Sequence, residues 1–368
     1  MAMASTTYYA ENNDVAQQAD TTVVAEPVEQ HLSLLFAGDL MQHGGQIQAA
    51  QRRGGSYDYS ECFARIHDEV ERADVAIANF EVTLGGKPYA GYPQFRAPDE
   101  YLQASIDAGF DLFTTANNHC CDSRRQGLER TIMMMDSLGA GHLGTYINRE
   151  VRNETYPFIL EKNGFRVVLL CFTYDTNGIP VQAPNVVNLI DTVEIKADIE
   201  RARAMQPDVI IALPHWGIEY QQLPSQQQRR LAQWLFDHGV DHVIGGHPHV
   251  AQPLELTSDS LHLVAWSMGN VISNMTRANT YGGYMVRLEL TKVTDGEESH
   301  TRLSDCGYTL FWVSRPADCG NSHNFRVLPI DEPDSVLTAT ERRQRNNIRT
   351  SMRRLMEHHA KGIREYAF

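Results

Sequence analysis

Histidines at positions 247 and 249 have the type and spacing of a metal-binding pair. They lie in the segment Gly-Gly-His-Pro-His, where two glycines precede two imidazoles at i and i+2. Neutral imidazole is a common nitrogen ligand of divalent first-row metals, and glycine lets the backbone approach an ion closely. A polar loop with incidental histidines is the alternative for His247 and His249 taken alone, so the interpretation depends on the rest of the chain.

Other carboxylates, amides and histidines follow short apolar runs, as ligands at strand ends do. These candidates are Asp39, Asn79, Glu81, Asn118 and His215. Asp39 follows the run 31–37, and His215 follows the run 209–213. Asn79 and Glu81 are two positions apart, and their oxygen atoms suit a hard or borderline cation, although an ordinary polar loop is the alternative.

The segment 117–122, Asn-Asn-His-Cys-Cys-Asp, offers three chemical roles in a row. Asn118 could bind a metal, His119 could donate a proton, and Asp122 could orient the imidazole. A turn in which a histidine happens to follow asparagine is the alternative. The two cysteines between them fit buried apolar positions better than thiolate ligands.

Two further residues each have a candidate role and an ordinary alternative. His43 follows Asp39 by four positions and is either an additional metal ligand or a solvated loop histidine. Arg96 lies in the Gly- and Pro-rich segment 85–97 and is either an anion clamp for the substrate or part of a surface salt bridge. The positions of His43 and Arg96 in the sequence do not decide between these alternatives.

The elements that position these residues alternate between strands and helices, which predicts an α/β fold. Predicted strands cover 31–37, 74–78, 110–115, 209–213, 261–268 and 282–291, and predicted helices cover 60–72, 98–108, 127–138, 190–205, 224–238 and 338–365. Asn163-Gly164, between the apolar runs 156–160 and 165–172, predicts a hairpin. The charged segment 292–300 is predicted to be an exposed turn, and 308–313 and 324–329 are predicted late edge strands. Because sites in open α/β sheets form beyond the carboxyl ends of strands, the candidate ligands are expected to meet at one edge.

Composition excludes several classes of partner. The 368 residues include 46 acidic and 32 basic side chains, a formal net charge of -14, and 42% hydrophobic residues. This charge disfavours nucleic acid and anionic membrane surfaces, while the hydrophobic content suffices for a large core. No apolar run approaches the roughly 20 residues that span a bilayer. Of the six cysteines, only Cys306 and Cys319 look able to pair.

Taken together, the motifs resemble those of one family. GDLM, ANFEVTL, GFDLFTTANNHCCD, PHWGIEY, GVDHVIGGHPHV and WSMGNVISN, between residue 31 and about residue 290, are similar to the CapA capsule-synthesis proteins (poly-gamma-glutamate synthesis, PgsA-like) of the calcineurin-like metallophosphoesterase superfamily. The resemblance implies a four-layer α/β/β/α fold with two central mixed sheets. It also implies a site for two divalent metal ions, with the ligand positions Asp39, Glu81, Asn118, His215, His247 and His249 and with His119 as the catalytic histidine.

The chain departs from the wider superfamily at two motifs. The usual Asp-x-His of the first strand is here Asp39-Leu40-Met41, and the usual Gly-Asp-x-x-Asp of the second is Asn79-Phe80-Glu81. His43 and Asn79 are therefore kept as possible metal ligands.

These observations predict a metal-dependent hydrolase of capsule or cell-envelope polymer biosynthesis, of the poly-gamma-glutamate type. Two divalent ions, Mn, Fe or Zn, would activate water for attack on a phosphoester or amide-like bond. The expected partners are an anionic envelope polymer or a phosphorylated small substrate, together with a capsule synthesis complex. A non-catalytic scaffold of such a complex and a metal-dependent transferase are the alternatives.

The predicted organisation has three parts. They are a disordered leader at 1–30, a CapA-like metallophosphoesterase domain at 31–295, and an extension of short strands and a helix at 296–368 that packs on the same domain. The leader is polar and lacks a charged segment followed by an apolar core. The expected location is the cell envelope or the exterior, with a signal or anchor outside this sequence, and the cytoplasm is the alternative.

Overall fold

The computed structural model describes residues 27–259, 261–319 and 324–368. In chain order the strands are β1 (Val28–Leu40), β2 (Val75–Phe80), β3 (Leu112–Thr114), β4 (Gly141–Leu143), β5 (Thr145–Tyr146), β6 (Phe158–Lys162), β7 (Phe165–Thr173), β8 (Val186–Val187), β9 (Val209–His215), β10 (His242–Ile244), β11 (Leu254–Leu256), β12 (Leu263–Ala265), β13 (Asn270–Ile272), β14 (Gly282–Asp295), β15 (Glu298–Ser314), β16 (Arg326–Pro329) and β17 (Arg364–Glu365). The helices are α1 (Gly44–Ala50), α2 (Ser60–Phe63), α3 (His67–Glu71), α4 (Asp99–Asp107), α5 (Arg124–Ser137), α6 (Arg149–Thr155), α7 (Thr192–Ala204), α8 (Gln226–Asp237), α9 (Pro316–Cys319) and α10 (Ala339–His359), with a short 3-10 turn at Asp334–Val336.

Two mixed sheets contain most of the strands in the described ranges. The larger sheet has the order β16-β15-β14-β1-β2-β3-β4, with β13 beside β1 and β17 beside β15. The smaller sheet has the order β11-β12-β10-β9-β7-β6, and β5 pairs separately with β8. Strands β1 to β4 run parallel to one another, and so do β7, β9, β10 and β12. Each parallel block therefore presents the carboxyl ends of its strands at one edge.

The side chains of β1 show why the two sheets lie between helical layers. Successive residues of a strand point to opposite faces. Leu34 and Phe36 pack in a core shared with Leu169 and Ile211 of the smaller sheet. The intervening Leu35 packs with residues of α2, α3 and α4 on the outer face, and α7 and α8 cover the outer face of the smaller sheet in the same way. The order helix, sheet, sheet, helix confirms the predicted fold class.

The predicted hairpin is confirmed. β6 and β7 pair antiparallel, with Lys162 opposite Phe165. Asn163 and Gly164 have φ values of 50° and 82°, which are the left-handed conformations that a tight hairpin turn requires and that Asn-Gly adopts readily.

The predicted exposed turn at 292–300 is wrong. β14 continues to Asp295, β15 begins at Glu298, and the two strands pair along this segment. The charged residues that favoured a turn lie at the exposed end of this ribbon, where polar side chains meet solvent on both faces. β15 lies between β14 and β16, so an edge position for 308–313 is also wrong, whereas β16 is at the edge of the sheet as predicted.

Other boundaries also differ from the expectations. The predicted helix at 338–365 ends at His359, and 364–365 form the short strand β17 instead. β1 begins at Val28, inside the predicted leader, and residues 28–30 pair with β14, while residues 1–26 lie outside the described residues. The predicted helix at 60–72 is two short helices, α2 and α3. Position 295, the predicted end of the main domain, falls within the β14–β15 ribbon, so both parts contribute strands to one sheet.

Two predictions from composition concern cysteines and membrane helices. In the part of the chain that the structure describes, no disulfide joins Cys306 and Cys319, and the Cys319 thiol donates a hydrogen bond to the Pro316 carbonyl at 3.4 Å. None of the helices in the described ranges combines the length and the apolar character that a bilayer crossing needs.

Candidate metal centre

The candidate ligands lie where neighbouring strands end. Asp39 is near the end of β1 and lies opposite Asn79 in the register of β1 and β2. His215 is the last residue of β9, and a backbone bridge pairs it with Gly246, just after β10. The backbone N–H of His247 donates to Asp39 Oδ2 at 3.3 Å, which joins the strand ends of the two sheets. The site therefore lies at the edge where the two parallel blocks meet.

Two groups of ligand atoms share Glu81. One atom each of Asp39, Glu81 and His215 lie within 4.8 Å of one another, and one atom each of Glu81, His247 and His249 do the same. All five side chains are buried. Glu81 Oε1 lies 3.7 Å from His215 Nε2 and 3.9 Å from His249 Nε2. A carboxylate common to two ligand groups suits two adjacent ions.

Two amides contact members of the first group, Asp39, Glu81 and His215. Asn118 Oδ1 is 2.8 Å from His215 Nε2, so the amide oxygen lies beside this group. Asn79 Nδ2 donates to Asp39 Oδ1 at 2.8 Å and to Glu81 Oε2 at 3.3 Å. Its own oxygen accepts hydrogen bonds from side chains in and just after β3. In this arrangement Asn79 holds the two carboxylates in place, and its direct binding of a metal stays a prediction.

The electrostatics of the cluster suit a cation. Glu81 Oε1 and His247 Nδ1 are buried and have no hydrogen-bond partner among the described residues. Burial, followed by repulsion from Asp39 and Glu219, raises the pKa of Glu81 well above its usual value. Burial and the neighbouring histidines lower the pKa of His215 and His247, so both imidazoles are neutral and can offer a lone pair. Carboxylate oxygens and neutral imidazoles are the donors that divalent first-row ions bind, so these residues fit the metal ions that the resemblance implies.

The backbone around the histidine pair is held in an unusual conformation. His247 and His249 have φ values of 102° and 59°, in the left-handed region that costs a non-glycine residue on the order of 1–3 kcal/mol. At Gly246, a Cβ atom would lie 2.9 Å from Asp39 Oδ1, so a side chain at this position would press on the carboxylate. The glycine therefore lets the loop approach Asp39, and the loop in turn fixes the directions of both imidazoles.

His119 and Asp122 form a buried pair beside this cluster. His119 Nδ1 is 2.7 Å from Asp122 Oδ2, and the same oxygen accepts a hydrogen bond from the Phe95 backbone at 2.6 Å. The backbone N–H of His119 donates to Asn117 Oδ1 at 3.1 Å, and the Phe95 ring packs edge-on against the imidazole with centroids 4.5 Å apart. Because Asp122 engages Nδ1, the other ring nitrogen of His119 is left for chemistry.

His43 and Arg96 lie outside the two ligand groups. His43 immediately precedes α1 as its N-terminal capping residue. Its Nδ1 lies 3.2 Å from Gln46 Oε1 and accepts from the backbone N–H of Asn274 at 3.3 Å. Burial lowers the pKa of His43 to about 4. Arg96 Nε donates to Ser123 Oγ at 3.1 Å. A ligand role for His43 and a substrate contact for Arg96 stay predictions.

Sequence reasoning missed several residues around the cluster. Asn270 Oδ1 lies 3.0 Å from His249 Nδ1 and orients that imidazole. The ring centroid of Tyr174 lies 4.4 Å from that of His247, and the ring centroid of Tyr220 lies 6.2 Å from that of His249. Tyr220 follows His215 in the motif PHWGIEY, which was an available signal. Tyr174 follows β7 and no local pattern marks it, whereas Asn270, at the start of β13, lies in the motif WSMGNVISN.

Comparison with known proteins indicates one family. The family described as "Bacterial capsule synthesis protein PGA_cap" matches residues 33–275. The chain is 27% identical to "Capsule biosynthesis protein CapA" of Bacillus anthracis over 272 residues, which cover 70% of this chain and 64% of that protein, slightly less than two thirds of its length. It is 25% identical to "PGA biosynthesis protein CapA" of Bacillus subtilis (strain 168) over 295 residues, which cover 75% of this chain and 72% of that protein.

A solved structure with a similar arrangement is the calcineurin-like phosphoesterase YfkN from Bacillus subtilis. Its sequence identity is 15% and its TM-score is 0.44, with 90% of this chain and 99% of that chain covered. The family match covers well over half of the sequence and includes every ligand position described above. The chain therefore belongs to the family of bacterial capsule synthesis proteins described as PGA_cap.

Proposed function

We propose that this protein is a metal-dependent hydrolase of capsule or cell-envelope polymer biosynthesis, which cleaves a phosphoester or an amide-like bond. The observation that supports the proposal most strongly is the position of Glu81. Its carboxylate belongs to two groups of ligand atoms, and its Oε1 is buried without a hydrogen-bond partner among the described residues. A buried carboxylate left in this state is costly unless a cation compensates it.

The two ligand groups assign the residues that would hold each ion. Asp39, Asn118 and His215 would hold one ion with Glu81, and His247 and His249 would hold the other with the same carboxylate. When bound, two divalent ions (Mn, Fe or Zn) supply an activated water and stabilise negative charge at the attacked centre. Two asparagines would support these ligands. Asn79 donates hydrogen bonds to the carboxylates of Asp39 and Glu81, and Asn270 orients the His249 imidazole.

His119 is the proton donor in this proposal. It follows the ligand Asn118 directly, and its pair with Asp122 fixes which ring nitrogen faces away from the carboxylate. A leaving alkoxide or amine needs a proton, and a positioned imidazole can donate one. Phe95 covers one edge of the imidazole and so limits access of water from that side.

The proposed substrate is an anionic envelope polymer of the poly-gamma-glutamate type, or a phosphorylated small molecule used in the biosynthesis of such a polymer. The names of the two Bacillus relatives, which refer to capsule and PGA biosynthesis, support this assignment. We further propose that the protein acts at the cell envelope, in contact with a capsule synthesis complex.

Turnover assays with added metal test the proposal. The full chain, loaded with Mn²⁺, Zn²⁺ or Fe²⁺, is assayed with bis(p-nitrophenyl) phosphate and with γ-glutamyl p-nitroanilide. We expect metal-dependent hydrolysis of at least one compound, and a loss on the order of 10²-fold or more in Glu81→Gln, which removes the shared ligand charge. Glu298→Gln changes an exposed carboxyl at the far end of the β14–β15 ribbon and serves as the control. Absence of turnover with every metal, or equal activity in Glu81→Gln, would contradict a hydrolase.

A further inference from the structure

The loop between β13 and β14, residues 273–281, is attached to the metal centre at its base. Asn270, whose side-chain oxygen meets His249, also donates through Nδ2 to the Thr280 carbonyl at 2.9 Å and to Ser273 Oγ at 3.1 Å. The backbone N–H and the hydroxyl of Thr280 both donate to the Arg277 carbonyl. These contacts close the loop, so its exposed tip at 276–278 has a defined position relative to His249.

The tip places Arg277 over an aromatic ring beside the site. Its guanidinium carbon lies 4.3 Å from the centroid of Tyr220, and that centroid lies 6.2 Å from the centroid of His249. Stacking uses the flat face of the guanidinium and leaves its in-plane N–H donors available. Within the described residues no carboxylate lies at ion-pair distance from Arg277. Arg277 is an exposed residue, so these donors are open to solvent beside Tyr220.

Tyr220 is itself fixed to the histidine loop. Its backbone N–H donates to the Pro248 carbonyl at 2.8 Å, directly between the two histidines of the pair. Its φ is 66°, a left-handed conformation that a tyrosine adopts only at a cost of about 1–3 kcal/mol. The position of the Tyr220 ring is therefore fixed by the same loop backbone that fixes the positions of His247 and His249.

We propose that Arg277, held on the Tyr220 ring, binds an oxyanion of the substrate, a carboxylate or a phosphate, next to the bond that is attacked at the metal centre. This inference rests on the proposed function and adds to it the residue that selects the substrate. A planar guanidinium with free edges binds carboxylate or phosphate with two parallel hydrogen bonds. Arg277 thereby distinguishes substrates that carry an additional negative group from those that do not.

The negative charge of the surrounding protein makes the positive charge of Arg277 important for binding an anion. The chain has a formal net charge of -14, and Glu219 lies next to Tyr220 at the same rim. An anionic polymer that approaches such a surface meets repulsion except where a cation is presented. Poly-gamma-glutamate carries a free carboxylate beside each backbone amide, so a cation near the reacting centre matches its repeat.

Binding measurements test the inference without turnover. Calorimetric titration of the metal-loaded full chain uses two probes, a short oligo-γ-glutamate and inorganic phosphate. The variants are Arg277→Ala, Arg277→Lys and, as a control that removes the same charge from an exposed position of α10, Arg343→Ala. Loss of hydrogen bonds to a charged group should weaken affinity about 10- to 100-fold in Arg277→Ala. The affinity of Arg277→Lys should lie between those of the wild type and Arg277→Ala, because lysine keeps the charge but lacks the planar guanidinium. The affinity of Arg343→Ala should match that of the wild type.

The two probes separate the sources of the oxyanion. An effect of Arg277→Ala on oligo-γ-glutamate assigns the site to a polymer carboxylate, and an effect on inorganic phosphate alone assigns it to a phosphate group. Equal affinities of wild type and Arg277→Ala for both probes, or no binding of either probe by the wild type, would overturn the inference. A chain that binds the oligomer through Arg277 but hydrolyses nothing would instead overturn the proposed hydrolase and leave the anion site standing.

Discussion

Replacing His119 by alanine should separate proton donation from metal binding. In the structure His119 is not a member of either group of ligand atoms, and its Nδ1 is engaged by Asp122 at 2.7 Å. His119→Ala should therefore keep the metal content of the wild type. Loss of general acid catalysis lowers turnover by roughly 10²- to 10⁴-fold for a poor leaving group, about 3–5 kcal/mol of barrier.

The Asp122→Asn variant tests whether Asp122 orients the His119 imidazole for proton donation. Asp122 Oδ2 accepts from both His119 and the Phe95 backbone, and its Oδ1 is buried without a partner among the described residues. The amide keeps the shape but removes the carboxylate that orients the imidazole. The lost charge-assisted hydrogen bond contributes roughly 1.5–3 kcal/mol, so turnover should fall about 10- to 100-fold, less than for His119→Ala.

The assay compares two leaving groups on the same metal-loaded variants. Methyl p-nitrophenyl phosphate releases nitrophenolate, which leaves without protonation, and a dialkyl phosphodiester releases an alkoxide, which needs the proton. The loss in His119→Ala should be large for the alkoxide and small for the nitrophenolate. Equal losses for both would refute the proton-donor role, and loss of metal from His119→Ala would identify it as a ligand.

Three further predictions follow from packing and burial. Gly246→Ala brings a Cβ to 2.9 Å from Asp39 Oδ1 and should weaken Mn²⁺ affinity in a titration, whereas Gly44→Ala, whose Cβ meets nothing within 4 Å, should not. Leu34→Ala removes a fully buried side chain between the sheets and should lower the free energy of unfolding in urea by about 2–5 kcal/mol; an unchanged midpoint would contradict that packing. Burial lowers the pKa of His242 from 6.5 to about 3, so the unfolded chain takes up a proton that the folded chain refuses, and stability falls as the pH drops below 6.5 towards 3. His242→Asn should make urea stability less dependent on pH in that window, and an unchanged pH profile would argue against this role of His242.

The strand ends were the most predictable part of the site. The runs 34–37 and 209–213, which precede Asp39 and His215, are continuous and apolar, as strands buried on both faces are, and parallel strands end at a common edge. Local pattern was therefore sufficient to predict that residues more than a hundred positions apart come together. The hairpin at 163–164 was equally predictable, because Asn and Gly adopt left-handed backbone conformations at low cost.

Other features depend on contacts that no local pattern encodes. The far end of the β14–β15 ribbon, beyond its pairing with β1, is exposed to solvent, so its charged residues have the composition of a turn. Asn270 and Arg277 reach the site through the closure of a loop by long-range hydrogen bonds, and they have no ligand-like spacing in the sequence. His43 is close to Asp39 in sequence, yet its role at the start of α1 directs its ring toward Gln46 and Asn274.

The metal content of matched variants tests the central claim most directly. The full chain, its Glu81→Gln, His215→Ala and His247→Ala variants and the Glu298→Gln control are saturated with Mn²⁺, dialysed and measured by elemental analysis. Because Glu81 belongs to both ligand groups and each histidine to one, we expect two ions per chain in the wild type and control, about one in each histidine variant, and fewest in Glu81→Gln. Wild-type metal content in Glu81→Gln, or a wild type that retains no metal, would contradict a metal centre built on this carboxylate.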